Sequence, residues 1–290
     1  MLTNHATLGQ TRTALKHELL KTYPEGESSS IASLVLEHLG FPSSSILTHP
    51  ETIPGADIQA QIKEILKEIH TGSPIQYILG YTWFCDLRLE VKSCALIPRP
   101  ETEELVYKIV DSLPGKPARI IDLGTGSGCI ALALKKKFPD SRVWALEKSR
   151  EALLLAGKNG KELGLEVEWI EGDIKDAECL ENNSFDLMVS NPPYVPQSEI
   201  GEMNENVRGF EPHLALFVPD EDPVVFYRAI ASLAIGHLEE KGSLWLEIHE
   251  NHALEVEQVL RKAGFENIII HKDIHEKDRF IEAERKAHGL

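Results

Sequence analysis

Beyond Pro98 the chain alternates short apolar runs with helical stretches, and this alternation restricts the fold more than any other feature. Helical patterns at 129–137, 149–163, 222–239 and 251–264 separate most of the runs. Strands that alternate with helices pair in parallel and carry helices on both faces. We expect an α/β domain with a mostly parallel seven-stranded sheet and a terminal antiparallel strand. The seven runs are RIIDLG, RVWALE, VEWIEGD, FDLMVS, GSLWLEI, NIIIHKD and RFIEAER.

The first part of the chain has a different pattern. Apolar residues recur at helical spacing at Ile58, Ile62, Ile65, Leu66 and Ile69, and no strand alternation precedes Tyr77. We therefore predict a helical bundle over residues 1–73. In YTWFCDLRLEVKS, apolar and charged residues alternate, which predicts a β-hairpin within a linker at 74–98. Residues 99–290 would form the α/β domain.

A glycine-rich turn follows the first predicted strand of the α/β domain, in IIDLGTGSGCIALAL. Gly124, Gly126 and Gly128 allow a sharp turn and a close approach of the backbone to a ligand. Cys129 stands where a dinucleotide-binding loop would have its third glycine, and a Walker Gly-Lys-Ser/Thr is absent. A plain tight turn remains an alternative. The spacing after an aspartate resembles the first motif of methyltransferases that use S-adenosylmethionine.

Two acidic residues end the next two predicted strands. Glu147 closes RVWALE, where a carboxylate can bind both hydroxyls of a ribose, and Asp173 closes VEWIEGD, where a carboxylate can accept from an adenine amino group. They could instead be surface acids. Ligands of open α/β sheets bind at the carboxyl ends of the strands. Three such positions on successive strands favour a nucleoside-like ligand.

The segment SNPPYV leaves the carboxyl end of the fourth strand, at the same edge of the sheet. Pro193 restricts Pro192 to an extended conformation. The stiff loop would present two acceptors, the side-chain oxygen of Asn191 and the carbonyl of Pro192, with Tyr194 as a flat wall. Two fixed acceptors can hold both hydrogens of an –NH2 group, which suits methylation of a planar nitrogen. A proline-rich turn with a capping asparagine is the structural alternative.

Several longer segments resemble one family, the PrmC/HemK protein-(glutamine-N5) methyltransferases. The segments are PIQYILG at 74–80, LIPRPETEELV at 96–106, DLGTGSGCIALAL at 122–134, SNPPYV at 190–195 and FEPHLAL at 210–216. The resemblance covers nearly the whole chain. LEIHENH and KDIHEKDR depart from the family pattern, which often has a glycine after Leu-Glu-Ile and another in place of Glu276.

The resemblance implies a Rossmann-like class I methyltransferase fold and S-adenosyl-L-methionine as cofactor, with S-adenosyl-L-homocysteine as product. The substrate would be the glutamine of the Gly-Gly-Gln motif in class I peptide chain release factors, whose methylation supports translation termination. The helical domain would help to dock the release factor. Arg99, Pro100 and Thr102 would line the cleft, and Asn191, Pro192, Pro193 and Tyr194, with Arg99, would receive the glutamine. The implied cofactor site comprises Gly124, Thr125, Gly126, Ser127, Gly128, Glu147, Asp173, Ile174 and Asn191.

The net charge of the chain helps to distinguish between alternative functions. The chain has 30 Lys/Arg and 46 Asp/Glu, a net of −16, and residues 99–290 account for −13 of it (23 against 36). Nucleic-acid enzymes usually show a basic footprint. An adenine N6-methyltransferase on nucleic acid would use the same Asn-Pro-Pro-Tyr loop, and an inactive module that binds release factors is a third hypothesis. We expect neither direct nucleic-acid binding nor a metal.

The N-terminus lacks an apolar signal core, and no apolar run approaches the roughly 20 residues of a membrane-spanning helix. We therefore expect a cytoplasmic protein without a membrane partner.

Overall fold

The computed structural model describes residues 6–113, 115–176, 180 and 183–287. The chain divides into two compact units, Met1–Gly80 and Tyr81–Leu290. None of the helices in these described ranges is both long and apolar enough to cross a bilayer.

The first unit is helical, as the spacing of its apolar residues predicts. Thr7 caps its first helix by accepting from the N–H of Gln10, whose side chain in turn accepts from the N–H of Thr7. Apolar faces meet in a core that includes Leu15, Val35 and Ile62, all fully buried. The helices are α1 (Leu8–Leu19), α2 (Glu25–His38), α3 (Ser43–Thr48), α4 (Ala56–Ile69) and α5 (Ile75–Leu79).

The predicted hairpin joins strands β1 (Tyr81–Phe84) and β2 (Leu87–Glu90) through Cys85 and Asp86, which both have positive φ. The boundary between the two units differs from the predicted separate linker at 74–98. Residues 74–80 belong with the helical unit, where α5 contacts α2 and α4. The hairpin belongs to the second unit because its apolar side chains join the core of that unit.

The second unit is the expected α/β domain. Its seven-stranded sheet has the order β10-β11-β9-β6-β3-β4-β5, and β11 runs opposite to the other six strands. The strands are β3 (Arg119–Leu123), β4 (Arg142–Glu147), β5 (Glu168–Glu171), β6 (Phe185–Ser190), β9 (Leu238–Glu247), β10 (Phe265–Lys272) and β11 (Asp278–Arg285). A short parallel pair, β7 (Val195–Pro196) and β8 (Phe217–Val218), which the sequence did not predict, follows the Asn-Pro-Pro-Tyr loop.

Helices cover both faces of the sheet. Alternate residues of one strand enter opposite cores: Ile121 packs with α10 and α11, whereas Ile120 packs with α6 and α7. The helices of this unit are α6 (Pro100–Ser112), α7 (Cys129–Lys137), α8 (Arg150–Leu163), α9 (Glu205–Phe210), α10 (Val225–His237) and α11 (Ala253–Ala263).

The order of the strands reverses at β3. From β3 the chain adds β4 and β5 on one side and then β6 and β9 on the other. Such a reversal leaves a crevice at the carboxyl ends of the central strands. The glycine loop after β3 and the Asn191 loop after β6 both start at this edge, because Leu123 and Ser190 are register partners.

Candidate active site

A cavity at this edge brings most of the predicted site residues together. Its wall includes Arg99, Gly124, Thr125, Gly126, Ser127, Glu147, Asp173, Ile174, Asn191 and Pro193. Four other predicted residues, Pro100, Gly128, Pro192 and Tyr194, lie outside the lining. The glycine loop, the Asn191 loop, Glu147 and Asp173 thus share one cavity.

The three loop glycines have positive φ, at 75°, 57° and 86°, but they serve two purposes. A Cβ built on Gly126 would meet no described atom within 4 Å, so this position opens to the cavity. A Cβ on Gly128 would lie 3.1 Å from both Ala156 and Trp169. Gly128 therefore permits close packing of the loop against α8 and β5, where the sequence predicted a cofactor contact.

Glu147 links β4 to the glycine loop. Its Oε2 accepts from the N–H of Gly126 at 2.9 Å, and its Oε1 accepts from the N–H of Ser149 at 2.8 Å. A carboxylate has about four acceptor sites, so further donors such as ribose hydroxyls can still be accommodated. The two backbone bonds fix the carboxylate in the cavity wall.

Asp173 follows β5 and pairs with a cation. Its Oδ2 lies 2.9 Å from Nζ of Lys148, and its Oδ1 accepts from the N–H of Lys175 at 3.0 Å. Burial alone would raise the pKa of this carboxyl, but the two hydrogen bonds and the nearby lysine charges keep its pKa below the usual value. Asp173 is therefore ionised near neutral pH and can accept from a ligand amino group.

Asp122 supports the glycine loop from below and is fully buried. Its Oδ2 accepts from the hydroxyl of Thr125 at 2.5 Å and from the N–H of Ala131 at 3.2 Å, whereas Oδ1 has no partner among the described residues. Burial, with a smaller contribution from the charge of Glu147, raises the pKa of this carboxyl to about 7, against the effect of those two hydrogen bonds.

Asn191 begins the loop after β6 and is held from the side. Its Nδ2 donates to Oγ1 of Thr102 at 3.1 Å, and this hydroxyl donates to Oε2 of Glu247 at 2.7 Å. Thr102 and Glu247 are almost fully buried. The amide is therefore fixed through its nitrogen, which leaves Oδ1 as its remaining acceptor at the cavity.

Tyr194 lies behind Asn191, outside the cavity lining. Its hydroxyl donates to Oε1 of Glu247 at 2.9 Å, and its ring meets His249 edge to face with centroids 6.0 Å apart. Burial and the neighbouring carboxylate raise the pKa of Tyr194 well above its usual value, so the hydroxyl keeps its proton. Burial likewise raises the pKa of Glu247, while the donors Thr102 and Tyr194 lower it in part. In this position Tyr194 supports the loop.

Arg99 lines the cavity and pairs with a buried acid. Its NH2 group donates to Oε1 of Glu211 at 2.6 Å, and Oε2 of Glu211 accepts from the N–H of Ile97 at 3.2 Å. The side chain of Arg99 is 31% exposed and that of Glu211 only 1%. The pair connects the wall segment before α6 to the segment after α9.

Some of these residues escaped the sequence analysis. Glu211 lies inside the segment FEPHLAL, so a buried acid beside Pro212 was a possible signal. Glu247 ends β9 and gave no signal, because its partners Thr102 and Tyr194 are remote in sequence. Lys148 and Phe226 also line the cavity and carried no motif, whereas Leu214, another lining residue, lies within FEPHLAL.

Comparisons with known proteins show the family and support the fold. Residues 103–206 match the model of the methyltransferase small domain, and residues 10–80 match the PrmC N-terminal domain. A methyltransferase from Pyrococcus furiosus of known structure is similar in fold, with a TM-score of 0.53 and 20% identity, covering 80% of this chain and 100% of that one.

Two curated relatives extend over almost the entire chain. The release factor glutamine methyltransferase of Bacteroides thetaiotaomicron is 40% identical over 272 residues, covering 93% of this chain and 98% of the relative. That of Flavobacterium psychrophilum is 40% identical over 277 residues, covering 93% of this chain and 96% of the relative. With both domain models matched in order and the cavity at the expected edge of the sheet, the chain belongs to the PrmC/HemK family of S-adenosylmethionine-dependent release factor glutamine methyltransferases.

Proposed function

We propose that this chain transfers a methyl group from S-adenosyl-L-methionine to the side-chain amide nitrogen (N5) of the glutamine in the Gly-Gly-Gln motif of class I peptide chain release factors. The observation that carries the proposal is the fixed amide of Asn191. Its nitrogen is bound to Thr102, so its oxygen is the atom that can accept from a substrate –NH2 group. Asn191 lines the same cavity as the glycine loop and Glu147.

The residues present fit the cofactor. The glycine loop leaves open space where a Cβ at Gly126 would lie, which suits a ligand chain passing close to the backbone. Glu147 can accept from two ribose hydroxyls, and Asp173 from the adenine amino group. Ile174 adds an apolar wall beside Asp173. When bound, the cofactor supplies an electrophilic methyl group on its sulfonium.

The Asn191 loop would hold the nucleophile. Asn191 Oδ1 and the carbonyl of Pro192 each accept one hydrogen of the glutamine amide. An amide nitrogen is a weak nucleophile because its lone pair is delocalised into the carbonyl. Holding both hydrogens favours a pyramidal nitrogen whose lone pair is directed at the methyl group, and this orientation lowers the barrier. The methylated nitrogen then becomes acidic, so no strong base is needed before transfer.

The partner follows from the relatives, whose names give release factors as their substrate. The two glycines beside the glutamine carry no side chain, so such a segment can bring its amide deep into a cavity. We propose that the helical unit docks the release factor, since its sequence matches a domain model specific to this family. Because release factors act on ribosomes, we propose that the reaction takes place in the cytoplasm.

The direct test incubates the protein with isotopically labelled S-adenosylmethionine and a class I release factor, and then maps the methyl group by mass spectrometry. We expect one methyl group on the glutamine of the Gly-Gly-Gln motif. A release factor with that glutamine changed to alanine is the matched control and should stay unlabelled. Label on an adenine-containing DNA or RNA, with none on the release factor, would refute the proposal.

Docking by the helical unit has its own test with the full chain. Hydrogen–deuterium exchange is compared with and without the release factor, in the presence of S-adenosylhomocysteine. Added protection within residues 6–80 is expected. Protection confined to residues 81–287 would contradict a docking role for the helices.

A further inference from the structure

The orientation of the Asn191 amide depends on a buried chain of three side chains. Glu247 ends β9, which pairs with β6 so that Leu246 lies opposite Ser190, the residue before Asn191. Thr102 lies in the first turn of α6 and fills the space between Glu247 and Asn191. Thr102 is 2% exposed and Glu247 1%. Thr102 and Glu247 are therefore shielded from water, whereas Asn191 reaches the cavity.

The chemistry of the three groups fixes the direction of every hydrogen bond. Both side-chain oxygens of Glu247 accept, Oε2 from the hydroxyl of Thr102 and Oε1 from that of Tyr194, so the hydroxyl of Thr102 directs its hydrogen at Glu247. The lone pair of that hydroxyl then faces Asn191, and only the –NH2 side of the amide can meet it. A flipped amide would place oxygen against oxygen. Through two successive hydrogen bonds, the carboxylate of Glu247 thus determines which atom of the Asn191 amide faces the cavity.

The surroundings of Glu247 support this role. Each of its oxygens accepts from an uncharged hydroxyl, those of Thr102 and Tyr194, and its own carbonyl accepts from the hydroxyl of Tyr227 at 3.2 Å. Burying a carboxylate in such a place costs stability. A neutral glutamine could fill the same volume, but its –NH2 group would oppose one of the two hydroxyl donors. A glutamate at this position is explained if both side-chain oxygens of residue 247 must accept a hydrogen bond.

We propose that Glu247 is a positioning residue that acts through Thr102 to keep Oδ1 of Asn191 directed at the substrate nitrogen. The inference rests on the proposed function, because it assigns Asn191 the acceptor role in methyl transfer. Glu247 and Thr102 do not touch the reacting atoms in this account. Their loss should lower turnover by disorienting the amide, while the affinity for cofactor and release factor stays nearly unchanged.

The test uses five variants of the full protein: Glu247→Gln, Thr102→Val, Thr102→Ser, Asn191→Ala and the double variant Thr102→Val/Asn191→Ala. Single-turnover rates are measured at saturating cofactor, with KM for the release factor and cofactor affinity measured separately. We expect Glu247→Gln and Thr102→Val to lower the rate by about tenfold or more. Thr102→Ser keeps the hydroxyl and should stay within about threefold of the wild type. The double variant should be no slower than Asn191→Ala alone, because the two residues act as one unit.

A second readout needs no turnover. Hydrogen exchange of the Asn191 side-chain –NH2 is followed by NMR, with its signal assigned by its loss in Asn191→Ala. Slow exchange in the wild type and fast exchange in Thr102→Val would support the positioning role. This result would hold even if the wild type failed to methylate release factors, because that failure would refute only the proposed function. Equal exchange in the two proteins, or a folded Thr102→Val enzyme with a rate within twofold of the wild type, would overturn it.

Discussion

Glu147, at the end of β4, accepts a hydrogen bond at 2.9 Å from the main-chain N–H of Gly126, in the loop that follows the neighbouring strand β3. The acid that the sequence suggested for ribose binding therefore also shapes the glycine loop. Loss of the Glu147 side chain should therefore remove both the proposed ribose acceptor and the hydrogen bond that holds the glycine loop.

Glu147→Ala should weaken cofactor binding. A hydrogen bond to a charged group contributes roughly 1.5–3 kcal/mol, so the affinity should fall by about tenfold or more. Isothermal titration calorimetry with S-adenosylhomocysteine measures it. Glu166→Ala removes an exposed acid far from the cavity lining and serves as the matched control. Equal affinities for the two variants would show that the ribose site lies elsewhere.

Asn191→Ala should lower the rate of methyl transfer on the order of a hundredfold or more, because a preorganised acceptor is lost. Asn191→Asp should be as inactive. It places an oxygen against the lone pair of Thr102 and adds a second charge near the buried Glu247. Single-turnover assays at saturating cofactor provide the comparison, with the exposed Asn251→Ala as control. A near-normal rate in Asn191→Ala would rule out the two-acceptor mechanism.

Glu211→Ala should destabilise the protein and raise KM for the release factor. The buried N–H of Ile97 would lose its acceptor, and the guanidinium of Arg99 its fixed position. Leaving a buried donor unpaired costs roughly 1–3 kcal/mol. Chemical denaturation and steady-state kinetics measure the two effects. Glu211→Gln retains an acceptor oxygen and should be affected less; the opposite order would contradict this reading of the pair.

Asp122 should make the stability depend on pH. Its folded-state pKa of about 7 lies above the ordinary value of 3.8. The folded state therefore binds the proton more tightly, and this contribution to stability is complete below pH 3.8 and lost as the pH rises through 7. Relative to Asp122→Asn, the wild type should lose up to about 1.4 kcal/mol per pH unit in this window. Urea titrations from pH 5 to 8 test this, with the exposed Asp140→Asn as control. If the difference in unfolding free energy between the wild type and Asp122→Asn stayed constant over this range, the prediction would be refuted.

Glu276→Gly should stabilise the protein. Glu276 is exposed in the turn between β10 and β11 and has φ of 62°, a conformation that glycine adopts without strain. The gain should be about 0.5–1 kcal/mol, since the added freedom of the unfolded chain offsets part of the relief. Thermal unfolding measures it. Glu266→Gly, within β10, should instead destabilise, and a loss of stability in Glu276→Gly would contradict the strain argument.

The sequence predicted the parts of the fold that local pattern controls. The segment RIIDLGTGSG shows a strand, a turn and a helix start, and the structure has β3 ending at Leu123 and α7 beginning at Cys129. The position of Asn191 at the carboxyl ends of the strands followed from the prediction of a parallel sheet alone. The identity of the cofactor came from resemblance, first of the glycine spacing to methyltransferase motifs and then of longer segments to one family.

The residues that the sequence did not reveal are those that tertiary packing brings together. Thr102 and Glu247 are 145 residues apart, and only the register of β6 with β9 and the entry of α6 bring them into contact. Gly128 belonged to the glycine pattern, but its role depends on Trp169, an indole of the edge strand β5. Side-chain direction in a loop is set by such neighbours.

The position of β9 has a consequence for protein synthesis. This strand lies between β6 and β11, and β11 is formed by residues 278–285. Glu247 therefore reaches its final place only when a strand made after every cofactor motif has paired beside β9. A nascent chain emerging from the ribosome would hold every motif for the cofactor before this pairing. We expect competence for methyl transfer to arise only once residues 278–285 have been made, and premature stop codons that remove β11 to abolish it.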